Sequence, residues 1–315
     1  MSIIIVSSIV VILVIGFLLP FIFNSEHQNL TPAIREKAPG QFVRLSIGFT
    51  HYEIAGPENG QVIMLIHGFS VPYYMWEPNF SILSKAGFRV LRYDIYGRGL
   101  SDRPDVVYDR KLFVTQLKEL IEALQLKGPI HFVGNSMGGA VATAFAADYP
   151  EKIGKLVLVD PFNEQLPIGP FGIPLLGEYF SSISLVPFAP QRQLQDFFHP
   201  ELFPDWPQLF REQMQYKGFG RALLSTLRNF ISHDPTADYF KIARQNVPVL
   251  LIWGTEDQTL STKGAMKLYH ILRPELLWIE KAGHLPHYEL PEKVNPRMID
   301  FLAKNNHQEE NQMQA

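Results

Sequence analysis

Gly134-Asn135-Ser136-Met137-Gly138 follows the short apolar run Ile130-His131-Phe132-Val133 and leads into Gly139-Ala140-Val141-Ala142-Thr143-Ala144-Phe145. A strand pattern, a tight Gly-x-Ser-x-Gly turn and a helix pattern, in that order, hold a serine hydroxyl exposed on a strained bend. Glycines two residues before and two after the serine carry no Cβ to obstruct neighbouring backbone. Taken alone the turn is a weak signal, because small residues cluster in many turns. The rest of the chain must supply a base, an acid and an oxyanion hole in a workable order.

Outward from the turn, short apolar runs recur. Val62 to Ile66, Arg89 to Tyr93, Leu156 to Val159, Val249 to Ile252 and Leu276 to Ile279 all have the length of strands buried on both faces. Phe42 to Ala55 reads as two further strands around Gly48. Helical patterns such as Leu112 to Leu126 lie between most of the runs. This alternation predicts an α/β fold with a mostly parallel central sheet flanked by helices. The alternation breaks over 162–240, which holds 11 of the 23 Phe and 9 of the 24 Pro. Proline at that density disfavours long strands or one long helix, so short helices forming a cap over the sheet are expected. The predicted organisation is a core of 41–161 and 241–304, the cap of 162–240, a polar linker of 24–40, and a frayed polar tail of 305–315.

Active sites of parallel sheets lie beyond the carboxyl ends of their strands. The residues there are His67-Gly68-Phe69-Ser70, Asp94 to Asp102, the serine turn, Trp253-Gly254-Thr255-Glu256-Asp257, and Glu280-Lys281-Ala282-Gly283-His284. A serine, a carboxylate and a histidine therefore occur in the order Ser136, Asp257, His284, with Glu256 and Asp160 as other candidate acids. Across residues 42–304, these five motifs and their order resemble the α/β-hydrolases. The resemblance implies an α/β-hydrolase fold with a helical cap, and it favours Asp257 as the acid. It also nominates the backbone N–H groups of Phe69 and Met137 as the oxyanion hole. A serine hydroxyl is a poor nucleophile until a base takes its proton, the task that falls to His284; Asp257 would hold the imidazole's tautomer. His67 and Asp94 are expected to stabilise loops, and His287 to lie at the surface or line a pocket rather than bind metal. No metal or organic cofactor is expected.

Ser136 stands where the epoxide hydrolases and haloalkane dehalogenases of the family carry Asp, which sets those reactions aside. The arrangement of an N-terminal span, His-Gly-Phe-Ser and a Ser-Met-Gly-Gly elbow resembles membrane-bound monoacylglycerol lipases. That implies hydrolysis of carboxylic esters, lipid-type monoesters among them. The stretch from Gly134 to Gly139, with Ile153 to Leu158, resembles the meta-cleavage-product hydrolases, which cleave C–C bonds. That group carries Trp soon after its histidine, whereas Leu285-Pro286 follow here. Cofactor-free perhydrolase or haloperoxidase-like chemistry shares the same triad. A non-catalytic scaffold would be expected to have lost a triad residue, and none is lost.

With 46% hydrophobic residues in 315 and a net charge of -3, the chain can bury a large core and has no basic surface suited to nucleic acid. It lacks cysteine, which removes disulfides and a thiol nucleophile. Residues Ile3 to Phe23 carry no charge. As a helix they would reach roughly 30 Å, the thickness of a bilayer core. No Lys or Arg precedes the run and no small-x-small cleavage site follows it, so 1–23 is read as an uncleaved anchor. Arg35 and Lys37, just after it, favour a cytoplasmic catalytic domain.

Overall fold

The computed structural model describes residues 2–304; the expected frayed tail of 305–315 lies outside the described residues. The apolar runs form one eight-stranded sheet. Its strands are β1 (Gln41–Leu45), β2 (Gly48–Ala55), β3 (Val62–Ile66), β4 (Arg89–Tyr93), β5 (Ile130–Asn135), β6 (Ile153–Val159), β7 (Val249–Gly254) and β8 (Glu275–Ile279). The spatial order is β1-β2-β4-β3-β5-β6-β7-β8. β2 pairs antiparallel with β1 and β4, and every other pairing is parallel.

Each central strand sends alternate side chains to two cores. Met64, Ile66, Phe132, Leu156 and Leu158 meet the helices Arg110–Ala123, Met137–Asp148, Thr236–Arg244 and Thr262–Leu272 on one face. Ile63, Leu65, Val133, Val157 and Val159 meet the helices Glu77–Lys85 and Pro291–Ala303 on the other. Burial on both faces is why these strands read as continuous apolar runs rather than alternating ones. The helix expected over 112–126 runs from Arg110 to Ala123. Asp109 starts it earlier by accepting a hydrogen bond from Leu112 N at 2.9 Å, and Gln125, at φ 52°, turns the chain away soon after its end.

Between β6 and β7 the chain leaves the sheet and folds into short helices, the longest of them Trp206–Met214, Phe219–Thr226 and Thr236–Arg244. Gln213 Nε2 donates to Ser70 O at 2.8 Å and Arg98 to Thr226 Oγ1 at 2.9 Å, which fastens this stretch over the carboxyl ends of the strands. Many of its aromatics are used in that fastening: Phe197 stacks on Phe203 at 4.4 Å, and Trp206 meets Tyr288 of the core edge-on at 4.7 Å.

A helix of 21 residues, Ser2–Ile22, precedes the sheet, and over Ile5–Ile22 it is long and apolar enough to cross a membrane. The polar segment after it is strapped down. Glu26 accepts from Gly218 N and Gly220 N at 2.5 and 2.6 Å, His27 N and Gln28 N donate to Gln215 O, and Arg35 pairs with Asp102.

Candidate active site

Ser136 sits between β5 and the helix Met137–Asp148 at φ 52°, ψ −120°, a conformation that side chains rarely adopt. Its N–H donates to Val159 O at 3.0 Å, and its carbonyl accepts from Gly139 N and Phe162 N at 3.0 and 2.9 Å. The two flanking glycines are forced by packing. A Cβ on Gly134 would lie 2.5 Å from Gly138 O, and one on Gly138 would lie 2.2 Å from Ile66 O. The bend is thus held by backbone on both sides, with the serine side chain half-buried at its tip.

Asp257 and His284 come together from the loops after β7 and β8. His284 Nδ1 donates to Asp257 Oδ2 at 2.8 Å, with both side chains almost wholly buried. Asp257 Oδ1 also accepts from Thr259 N and Leu260 N at 2.8 and 3.0 Å. Burial opposes the charge on Asp257, but His284 and these two N–H groups outweigh it and hold the carboxyl below its usual range. Burial likewise opposes protonation of His284; Asp257 first, then Asp196 and Glu289, overcome it and raise the imidazole above its ordinary value. With Nδ1 bound to the carboxylate, Nε2 is the ring nitrogen that remains.

The other candidate acids take different places. Glu256 is exposed and meets Thr255. Asp160 is fully buried beside the pair, accepting from Gly254 N at 2.9 Å. Burial first, then the charge of Asp257, pushes its pKa well up. Ligand atoms of Asp160, Asp257 and His284 lie within 4.8 Å of one another; Asp257 and His284 are bonded to each other, and Asp160 accepts from Gly254 N.

The loops around the pair are tied by residues whose roles the motifs did not reveal. Asn135 Nδ2 donates to His284 O at 3.0 Å and to Val159 O at 3.2 Å, joining the serine bend to the histidine loop. Glu289 accepts from Gly283 N at 2.6 Å and from Phe198 N at 2.8 Å, joining that loop to the helices above the sheet. His284 N donates to Asp196 O at 2.7 Å. Asp94 and His67 stabilise loops, as the sequence predicts. Asp94 takes His51 Nδ1, Tyr73 N and Leu100 N, and His67 Nε2 accepts from Ile95 N at 2.9 Å, its pKa lowered by burial to about 4. His287 departs from expectation. It neither reaches the surface nor lines the serine's pocket but is fully buried against Trp76, ring centroids 4.2 Å apart.

Ser136 and His284 line a cavity of about 120 Å³ together with Gly68, Phe69, Ser70, Gln193 and Asp196. Phe69 also lines the cavity, and Met137 follows Ser136 directly in the chain. The Phe69 carbonyl is held by Arg98 Nε at 2.7 Å, with the guanidinium over the Phe69 ring. Among the described residues, no acceptor outside its own helix takes the N–H of Phe69 or Met137. Met137 is the first residue of its helix, where N–H groups have no intrahelical partner and the dipole favours an anion. The arrangement supplies a hydroxyl, an imidazole oriented by a carboxylate, and two unclaimed donors, the set needed for acyl transfer.

The model of the alpha/beta hydrolase family matches residues 63–297. The chain is 28% identical over 291 residues to a 2-hydroxy-6-oxononadienedioate/2-hydroxy-6-oxononatrienedioate hydrolase of Paraburkholderia xenovorans, covering 86% of this chain and 98% of that protein. It is also 28% identical over 279 residues to the AB hydrolase superfamily protein YfhM of Bacillus subtilis, covering 83% of this chain and 97% of that one. The crystal structure of an enol-lactonase from Burkholderia xenovorans superposes with a TM-score of 0.71 at 23% identity, over 84% of this chain and all of that one, a likeness of fold.

Proposed function

The chain belongs to the alpha/beta hydrolase family, and from that premise we propose that it is a membrane-anchored serine hydrolase of neutral carboxylic esters. Ser136 Oγ attacks the ester carbonyl while His284 Nε2 takes its proton, and the carbonyl oxygen becomes an oxyanion facing the N–H groups of Phe69 and Met137. Collapse expels the alcohol, which receives the proton from His284 and leaves an acyl group on Ser136. Water, deprotonated by the same nitrogen, then attacks the acyl carbon and releases the acid. Asp257 keeps Nε2 available by holding the proton on Nδ1. The helix Ser2–Ile22 is the anchor, 162–240 the cap, and Arg35 and Lys37 favour the cytoplasmic side for the catalytic domain.

The observation that carries the preference for neutral esters is the lining of the cavity. It contains Asp196 and, among the described residues, neither Lys nor Arg. A substrate carboxylate would enter opposite another carboxyl with nothing cationic to pair it, a costly desolvation. At about 120 Å³ the cavity is below the usual range for ligand pockets, so it admits a short acyl ester as it stands. A lipid-type monoester requires the segment carrying Gln193 and Asp196 to move aside.

C–C bond hydrolysis is the second reading, favoured by the Paraburkholderia relative, whose named substrates are dioates. Labelling with a fluorophosphonate, wild type against Ser136→Ala, tests the nucleophile; equal labelling would sink it. Turnover of a graded acyl-ester series against a vinylogous diketone acid tests the bond cleaved. Turnover of the diketone alone would make the C–C reading the right one.

A further inference from the structure

The N-terminal helix does not stand apart from the body of the protein. Tyr179 Oη donates to Gly16 O at 2.8 Å, and Phe23 packs on Phe188 with ring centroids 6.2 Å apart. The stretch 179–188 thus runs beside residues 16–23. Gly16 lies six residues before the helix's last residue, Ile22, which at 1.5 Å per residue is about 9 Å along its axis. If the helix crosses the bilayer, Tyr179 is carried below the level of Ile22, into the outer part of the leaflet.

The chemistry of the surrounding segment fits that depth. From Gln165 to Gln191 the only Asp, Glu, Lys or Arg is Glu178, and both its oxygens are taken by Arg228, at 2.6 and 3.0 Å. Ile173, Leu175, Leu176 and Phe188 of this segment are exposed, Leu175 to 85%. Leu175 also has φ 65°, a backbone strain that turns a large apolar side chain outward. An outward-facing apolar patch whose one charge is paired is poorly suited to water and well suited to the boundary between headgroups and acyl chains, where a tyrosine is also at home. A cleft of about 500 Å³ opens beside it, lined by Pro20 and Phe23 of the anchor region and by Ser181, Val186, Leu224 and Arg228 opposite.

We propose that the segment Gly169–Phe188 is a second membrane-inserted element, seated in the leaflet where the Ser2–Ile22 helix ends. The cleft between the two then opens at headgroup level. The occupant of this surface is the lipid bilayer itself, because the same segment contacts the helix that spans it. The inference rests on the anchor reading, and the test separates the two. The chain has no cysteine, so single-cysteine variants of the full-length protein can each be labelled with one environment-sensitive fluorophore. Leu175→Cys probes the segment, Val14→Cys the anchor, and Lys127→Cys the end of the sheet away from the cap. Each is reconstituted into phosphatidylcholine vesicles with and without brominated acyl chains. The expected result is loss of emission at 175 comparable with that at 14, and none at 127. Quenching at 14 with none at 175 would overturn this proposal and spare the anchor. No quenching at 14 or 175 would overturn both.

Discussion

Asp257→Asn is the sharpest test of the charge arrangement at the site. The native pair is a 2.8 Å bond from His284 Nδ1 to Asp257 Oδ2. An asparagine that kept the other two contacts, by accepting from Thr259 and Leu260 through its carbonyl oxygen, would turn its NH₂ toward Nδ1. The imidazole would then carry its proton on Nε2, where it must instead receive one from Ser136. In the chymotrypsin template the same change costs about 10⁴ in turnover, equivalent to about 5.5 kcal/mol in the barrier. A loss of similar size is expected here, with the fold intact. The pH profile supplies a second readout. The base must be neutral, and its pKa is raised above the ordinary value, so wild-type kcat/KM falls as pH drops through a value above about 6.5. Asp257 is the largest of the raising influences, so its loss lowers the pKa. The acid limb of the variant therefore shifts to lower pH. Measurement of kcat/KM for a soluble short-chain ester from pH 5 to 9 covers both effects. A loss of less than about tenfold, or an unmoved acid limb, would refute the assignment of Asp257. Asp160→Asn placed on top of it would then show whether the neighbouring acid had taken over.

Three further outcomes are expected. Ser136→Gly should melt higher than Ser136→Ala, because glycine adopts φ 52° freely. Relief of about 1–3 kcal/mol less about 0.5–1 for unfolded-state entropy leaves about 1 kcal/mol, or about 2 °C in a thermal melt, and no difference would mean the bend is unstrained. Gly138→Ala drives a Cβ to 2.2 Å from Ile66 O and 2.5 Å from His67 O, so it should destabilise the fold by about 3 kcal/mol or more in chemical denaturation; a near-neutral variant would show that β3 yields. Asp196→Asn keeps an acceptor for Thr259 Oγ1 while removing the carboxyl from the cavity. The kcat/KM ratio of an anionic diketone acid to a neutral ester should rise about tenfold, equivalent to about 1.4 kcal/mol, and an unchanged ratio would deny Asp196 its part in selectivity.

The sheet was legible because a strand buried on both faces announces itself as an unbroken apolar run, as Val62–Ile66 does. The proposed triad positions were legible because a parallel sheet gathers its strand ends, so that Ser136, Asp257 and His284 needed only to follow such runs. The residues from the insertion were not. Asp196 and Gln193 reach the cavity through the packing of Phe197, Phe203 and Trp206, and nothing periodic in a proline-rich stretch says which of its polar side chains will face inward. Glu289 was hidden for a similar reason. It lies at the end of the short helix Pro286–Glu289 and binds backbone N–H groups, a role any carboxylate can fill.

What the sequence encodes only indirectly is strain, and here strain and chemistry coincide. Ser136 follows β5 at φ 52°, Asp160 follows β6 at φ 40°, and Lys281, in the loop after β8, has φ 61°. At the end of β7, a Cβ on Gly254 would meet Gly283 O at 2.0 Å, so the Asp257 and His284 loops approach as closely as backbone allows. Four neighbouring strands thus end in geometry that ordinary side chains resist, and the loops that leave them carry the serine, the two acids and the histidine. Only the glycines among these positions betray the constraint in the sequence. Ser136, Asp160 and Lys281 bear it with side chains attached, and at Ser136 that is expected of a residue whose hydroxyl is presented at the tip of the bend.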